Sequence, residues 1–193
     1  MAKAKTPAFD VKKPSTYAVQ LKNIKIAKGL SQETTAYTAS LYFEGKKIGD
    51  VHNEGHGGPD GFYGDWEKFR EAEAWIKVNV AGVVTEHFDY ETDVDMDFYC
   101  SYLIDLHEYK AAMKKDSKKT FLAVDADGVL AGLTFKAAIP AEKRSLWLAM
   151  ARERNPELNF LEDIKDEGER LMAFVKANEL ALKKAQSSGP SPV

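Results

Sequence analysis

Apolar and polar positions alternate most regularly between residues 37 and 43, where Tyr37, Ala39, Leu41 and Phe43 are separated by Thr38, Ser40 and Tyr42. A strict period of two in residues that favour pleated surfaces predicts a half-buried strand. Upstream, Val19 and Leu21 and then Ile24 and Ile26 keep the period but change face near Asn23, which predicts a strand over 17–27 with a bulge. Glu44-Gly45-Lys46-Lys47 supplies a turn and 48–53 returns as a third strand, giving a three-stranded antiparallel meander.

The period then lengthens. Trp66, Phe69, Ile76 and Val80 recur at helical spacing behind Asp65, a residue suited to cap a helix N-terminus, so a helix is predicted over 66–80, ended by Gly82. A short strand is expected over 83–88. Residues 88–98 alternate apolar with acidic side chains, yet Tyr99, Leu103 and Leu106 continue from Met96 at helical spacing. This predicts an extended segment followed by a helix, capped by Asp93 or Asp95 and running to about Lys114, with Lys110, Lys114 and Lys115 suiting its C-terminal dipole. Residues 120–136 read as a hairpin around Asp127-Gly128. Pro140 opens a helix that Asn155-Pro156 stops, and a last, highly charged helix is expected over 161–186, with Ile164, Leu171, Phe174 and Val175 on one side.

The elements together predict an α+β fold: an N-terminal antiparallel β-meander with covering helices, a second β-hairpin and a C-terminal helical pair. Along the chain this gives a flexible basic arm over 1–16, an α+β domain over 17–160, a charged C-terminal helix over 161–186 and a disordered tail over 187–193.

Composition narrows the function classes. A net charge of −3 over 193 residues argues against wholesale binding to a phosphate backbone. The distribution is uneven: seven lysines stand against Asp10 up to Gly29, whereas Glu86 to Asp97 holds six carboxylates and no Lys or Arg. Charge runs of this size ordinarily form solvated faces. Binding of nucleic acid through the arm and Lys22, Lys25 and Lys28 is therefore unlikely from composition, and no membrane contact is expected. Cys100 is the single cysteine and has no local partner; with no apolar span or leader at the N-terminus, this points to a cytoplasmic protein. Trp75 and Trp147 read as packing residues, and His87 and His107 as surface or satisfied core residues.

The candidate chemistry is concentrated between Gly45 and Gly64, where seven of the thirteen glycines and two of the four histidines fall. A glycine loop between a strand and a helix cap is a geometry that cradles anions. It is not a dinucleotide fingerprint, because Gly61 comes one residue late, Pro59 removes an amide and no βαβ unit surrounds it; a Walker lysine is also absent. His52 and His56, with Asp50, Glu54 or Asp60, are the residue types zinc or manganese accepts, but the interval of four pairs imidazoles only on a helix, which these glycines oppose. His56 beside Glu54 or Asp60 is competent for acid–base work, although neither Cys100 nor Ser40 nor Ser101 carries a nucleophile signature. The structural alternative is a set of tight turns in which Asn53 and Asp60 bond their own backbone. Even so, Phe62, Tyr63 and Trp66 just behind a rigid loop make a good interaction surface.

The strand to Phe43, the turn Gly45-Lys46-Lys47, the strand to Val51 and then Asn53-x-Gly55-His56-Gly57-Gly58 resemble a loose set of uncharacterised bacterial and phage proteins. The resemblance covers roughly residues 20–150, with the acidic lead at Asp93 and the hairpin to Lys136 in the same order. It implies a small prokaryotic or phage accessory protein and carries no catalytic role. The expectation is a non-enzymatic protein that binds a protein partner or a small anionic ligand through Asn53, Gly55, His56, Gly57, Gly58, Asp60, Phe62 and Tyr63, with no cofactor. The alternative is a metal-dependent hydrolase using His52, His56 and Asp60.

Overall fold

A computed structural model describes residues 18–80 and 93–187. The expected arm over 1–16, the strand over 83–88, Gly82, His87, three of the six carboxylates of the acidic run and residues 188–193 lie outside the described residues. The chain divides into two compact units, Met1–Leu106 and His107–Val193, so the single domain expected over 17–160 extends across that division.

The first unit is built on a four-stranded antiparallel sheet in the order β1 (Val19–Ile26), β2 (Tyr37–Phe43), β3 (Lys46–Asn53) and β4 (Gly61–Gly64). The bulge falls where the face change predicted it: the β1–β2 register shifts between Lys22 and Lys25, and Asn23 sits at φ 54°. Glu44 and Gly45, both with positive φ, close the tight β2–β3 turn. β4 departs from the expected three-stranded meander. Residues read as loop pair with β3, Val51 with Phe62 and His52 with Gly61.

Tyr37, Ala39, Leu41, Phe43, Ile48 and Val51 are buried on one face of this sheet. The other face is polar: Ser40 donates to Asp50 (2.9 Å), Lys47 donates to the same carboxylate, and Lys22 lies 4.2 Å from the Tyr42 ring centre. Helix α1 (Trp66–Asn79) starts where Asp65 accepts from the backbone N–H of Glu67 and Lys68 (3.0 and 3.1 Å), and it buries Ala72 and Ile76. It ends at Asn79 with Val80 as its cap, short of Gly82. Half-buried Trp75 lies on it. Helix α2 (Met96–Asp116) follows Asp95, whose carboxylate accepts from Phe98 N–H at 2.8 Å. Its first half gives the first unit buried Met96, Tyr99, Cys100 and Ile104, and the Tyr99 hydroxyl donates to the Val19 carbonyl at 3.1 Å.

The second unit holds the predicted hairpin, β5 (Thr120–Val124) with β6 (Leu130–Thr134), joined by a turn in which Asp125 accepts from Asp127 and Val129 N–H, both at 2.9 Å. A third strand, β7 (Asn159–Phe160), pairs with β5 through Ala123 and Phe160, giving the order β6-β5-β7. One face packs Phe121 and Ala123 against Leu148 and Ala151 of α3 (Ala141–Arg154), with Trp147 alongside. Leu122 on the other face packs with Leu161 and with Phe174 of α4 (Glu167–Ser187). The last helix therefore starts six residues later than the expected 161, because Phe160 enters the sheet and Leu161–Asp163 forms a single 3-10 turn. Asp166 then accepts from Glu169 N–H at 2.9 Å and opens α4, which includes Ser187 of the expected tail.

Among the described residues no helix is long and apolar enough to cross a membrane.

Candidate functional site

β3 delivers His52 and Asn53 into the loop, and β4 takes the chain back from Gly61. Between them the conformation is set by Asn53. Its side-chain oxygen accepts from Thr34 Oγ1 (2.7 Å) and Gly55 N (2.8 Å), and its amide donates to the Gly58 carbonyl (3.0 Å) and Asp60 Oδ1 (2.9 Å). Gly55 and Gly57 sit at φ 87° and 82°, where a side chain is strained. The Gly55 carbonyl also accepts from the N–H groups of Gln32 (2.9 Å), Glu33 (3.0 Å) and Thr34 (3.4 Å), and Gly57 N–H donates to Thr34 Oγ1 (3.3 Å). Loop 54–60 is thus fastened along its length to segment 32–34.

Asp60 turns inward. Its carboxylate accepts from the Tyr37 hydroxyl as well as from Asn53, while its N–H donates to Asp97 Oδ2 at 3.3 Å. Burial first, and then the nearby Cys100 and Asp60, raises the Tyr37 phenol far above its ordinary range, so it remains a donor to Asp60. Burial, followed by the Asp60 charge, likewise pushes up the Cys100 thiol, which keeps it protonated and unreactive. Asp97 is raised by burial and next by Asp60.

His52 and His56 turn outward. The His52 ring covers Gly61 so closely that a Cβ there would lie 2.3 Å from its Cε1. Both histidines line a small cavity of about 160 Å3 with Asn53, Glu54, Gly58 and Pro59. They also line a larger groove of about 480 Å3, whose walls include Lys25, Ile26, Leu30 and Ala36. Among the described residues the side chains of Lys25, His52 and His56 have no hydrogen-bond or ion-pair partner, and exposed Glu54 lines the same groove.

The expected site residues therefore separate. His56 and Gly58 border the small cavity, whereas Asn53, Gly55, Gly57 and Asp60 hold the loop. Asp60 does not join His52 and His56, and among the described residues no group of three or more His, Cys, Asp and Glu side chains is placed to hold a metal ion. Phe62 and Tyr63 were expected to share one surface, but as strand neighbours they point to opposite faces. Phe62 packs with Trp66 and Phe69 (ring centres 5.0 and 4.5 Å away), while Tyr63 is 83% exposed beside Asp50.

Leu30 and Thr34 were not singled out as site residues by the sequence pattern, and Lys25 was considered only for binding nucleic acid. The signal present is Lys25 one residue before the end of β1, followed by the polar run Ser31-Gln-Glu-Thr34, which is read as part of a site only once it is known to meet the glycine loop.

Fold and site together define an α+β protein with a preshaped groove at one end of its first sheet. No family model, no curated protein and no solved structure matches this chain.

Proposed function

We propose that the protein is a non-enzymatic binding protein that captures the anionic group of a small organic ligand in the groove lined by Lys25, Ile26, Leu30, Ala36, His52 and His56. The observation that carries this reading is the lining of one groove by Lys25, His52 and His56, three nitrogen-bearing side chains with no partner among the described residues, above apolar Ile26, Leu30 and Ala36. A charged acceptor gains most where donors converge and are not already paired. The apolar walls suit a carbon skeleton, and Glu54 favours a ligand with a single anionic group followed by a hydrogen-bond donor.

Support for a non-catalytic role comes from the groups that would do chemistry. Cys100 is buried and held as a thiol, and Asp60 is fully engaged with Tyr37 and Asn53.

The test is titration calorimetry of the full chain with inorganic phosphate, 3-hydroxybutyrate and a nucleoside monophosphate. At least one probe is expected to bind, and Lys25→Ala and His56→Ala each weaken it by about tenfold, the loss of one charge-assisted hydrogen bond. Both residues are exposed, so the unfolding midpoint should not move. Absence of binding by all three probes, or equal binding by both variants, overturns the reading.

A further inference from the structure

The second unit carries an unfinished sheet edge, formed by none of the residues that line the histidine groove. Among the described residues β6 pairs only with β5, on one side. Phe135 N–H donates to the Lys119 carbonyl (2.8 Å) and Asp125 N–H to the Val129 carbonyl (3.0 Å), which fixes the alternation of the ladder. With Phe121 opposite Leu133 and Ala123 opposite Ala131, the odd-numbered residues of β6 bond to β5. Leu130, Gly132 and Thr134 consequently turn their backbone N–H and C=O groups away from the sheet, with no partner among the described residues. Gly132 and Thr134 are exposed.

A groove of about 580 Å3 runs beside this edge, bounded by Gly132, Thr134 and Phe135 and by Trp147, Met150 and Arg154 of α3. The Phe135 and Trp147 rings stack with centres 5.3 Å apart, and Met150 is 41% exposed. Arg154 has no acidic partner among the described residues, although Arg152, on the same helix, is paired with Asp163. An apolar shelf, a row of unpaired backbone groups and a free guanidinium therefore share one side of the unit.

We propose that β6 is an acceptor strand for an extended segment of a partner protein, one bearing a large apolar side chain for the Phe135–Trp147–Met150 shelf and a carboxylate for Arg154. Backbone bonding to the edge supplies affinity and the two side chains supply selectivity. The spacing follows from the helix. Trp147 and Arg154 are seven residues apart, about 10 Å along α3. Same-face residues of a strand are about 7 Å apart at two residues and about 13 Å at four. For a segment that runs along α3 the carboxylate lies two or four residues from the apolar side chain, and a lysine in its place meets Arg154 as a like charge.

The probes are acetylated, amidated octapeptides of alternating threonine containing one phenylalanine, with glutamate placed two or four residues away. Their binding to the full chain is read by fluorescence anisotropy. The glutamate peptides are expected to bind, a lysine replacement or Arg154→Ala to weaken them by about tenfold, and Arg154→Lys to restore part of the loss. N-methylation of alternate peptide amides should abolish binding in one register and spare it in the other, a readout that leaves the protein untouched. Lys25→Ala with His56→Ala should leave this binding unchanged, which separates it from the anion groove. The proposal is overturned if no glutamate peptide binds, if binding survives N-methylation in both registers, or if Arg154→Ala has no effect. It is equally overturned if sedimentation shows that the edge is occupied by a second copy of the chain, with association removed by Thr134→Pro.

Discussion

Replacing Asn53 with alanine removes four hydrogen bonds at once: two accepted, from Thr34 and Gly55, and two donated, to Gly58 and Asp60. A neutral bond contributes about 1 kcal/mol net and one to a carboxylate about 1.5–3 kcal/mol. Water can replace the bond at exposed Gly58 but reaches the half-buried Thr34 and Asp60 less well. The expected loss is therefore about 2–4 kcal/mol, a large share of the roughly 5–15 kcal/mol that stabilises a domain. Asn53→Asp provides the contrast. It retains the acceptor for Thr34 and Gly55 but places an oxygen against Asp60 where the amide donated, so its cost is high near neutrality and shrinks on acidification as the pair takes up a proton. Urea unfolding in a Trp147→Phe background restricts emission to Trp66 and Trp75, both in the first unit. The Asn53→Ala midpoint should fall by about 1–2 M with an unchanged denaturant slope. A loss below about 0.5 kcal/mol would refute the role of Asn53 as the group that organises the loop.

Two further outcomes follow from the same geometry. A Cβ on Gly55 would meet the Leu30 carbonyl oxygen at 2.5 Å and Ala36 Cβ at 2.9 Å at φ 87°, whereas one on Gly58 meets nothing within 4 Å. Gly55→Ala should cost about 2–4 kcal/mol in urea unfolding and Gly58→Ala less than about 0.5 kcal/mol, and equal effects would contradict the docking of the loop. The Asp97 carboxyl is raised above its ordinary value of 3.8, by burial and then by Asp60, so the folded chain binds its proton more readily than the unfolded chain. Its charged form costs stability above the raised value, and that cost is absent below the ordinary one. Asp97→Asn, which can still accept from Asp60 N–H, should be more stable than the parent at about pH 7 and indistinguishable from it at about pH 3, measured by thermal unfolding across pH. A gain that is constant with pH would assign the effect to something other than this charge.

Where a local rule decides the outcome, the sequence pattern and the structure agree. Period two in Tyr37–Phe43, the face change at Asn23, the Asp65 cap and the hairpin between Thr120 and Thr134 are each determined by residues within a few positions of one another. β4 was illegible because its two strand-favouring residues, Phe62 and Tyr63, stand between glycines in a segment too short to show a period, and it is held by its register against β3. β7 was hidden for the same reason, since two residues become a strand only beside β5. The loop location was legible from its glycines, but its internal accounting was not. Nothing near Asn53 announces that Thr34, nineteen residues earlier, will hold its side chain, and nothing near Asp60 announces Tyr37.

Residues that suggest chemistry in a sequence are also those best able to hold a loop still, and the number of bonds each makes inside the fold separates the two uses. Asn53 uses both of its amide donors and accepts two bonds on its oxygen. Asp60 is engaged at both carboxylate oxygens and at its backbone N–H. Such groups have little capacity left for a ligand without first releasing the loop, which would cost the several kcal/mol estimated above. The side chains of Lys25, His52 and His56 keep that capacity and face one groove, so under the proposed function an incoming anion would gain their bonds without disturbing the loop. The same reckoning selects the outward backbone of Leu130, Gly132 and Thr134 and the guanidinium of Arg154 in the second unit, where no glycine cluster or histidine pair drew attention to the sequence.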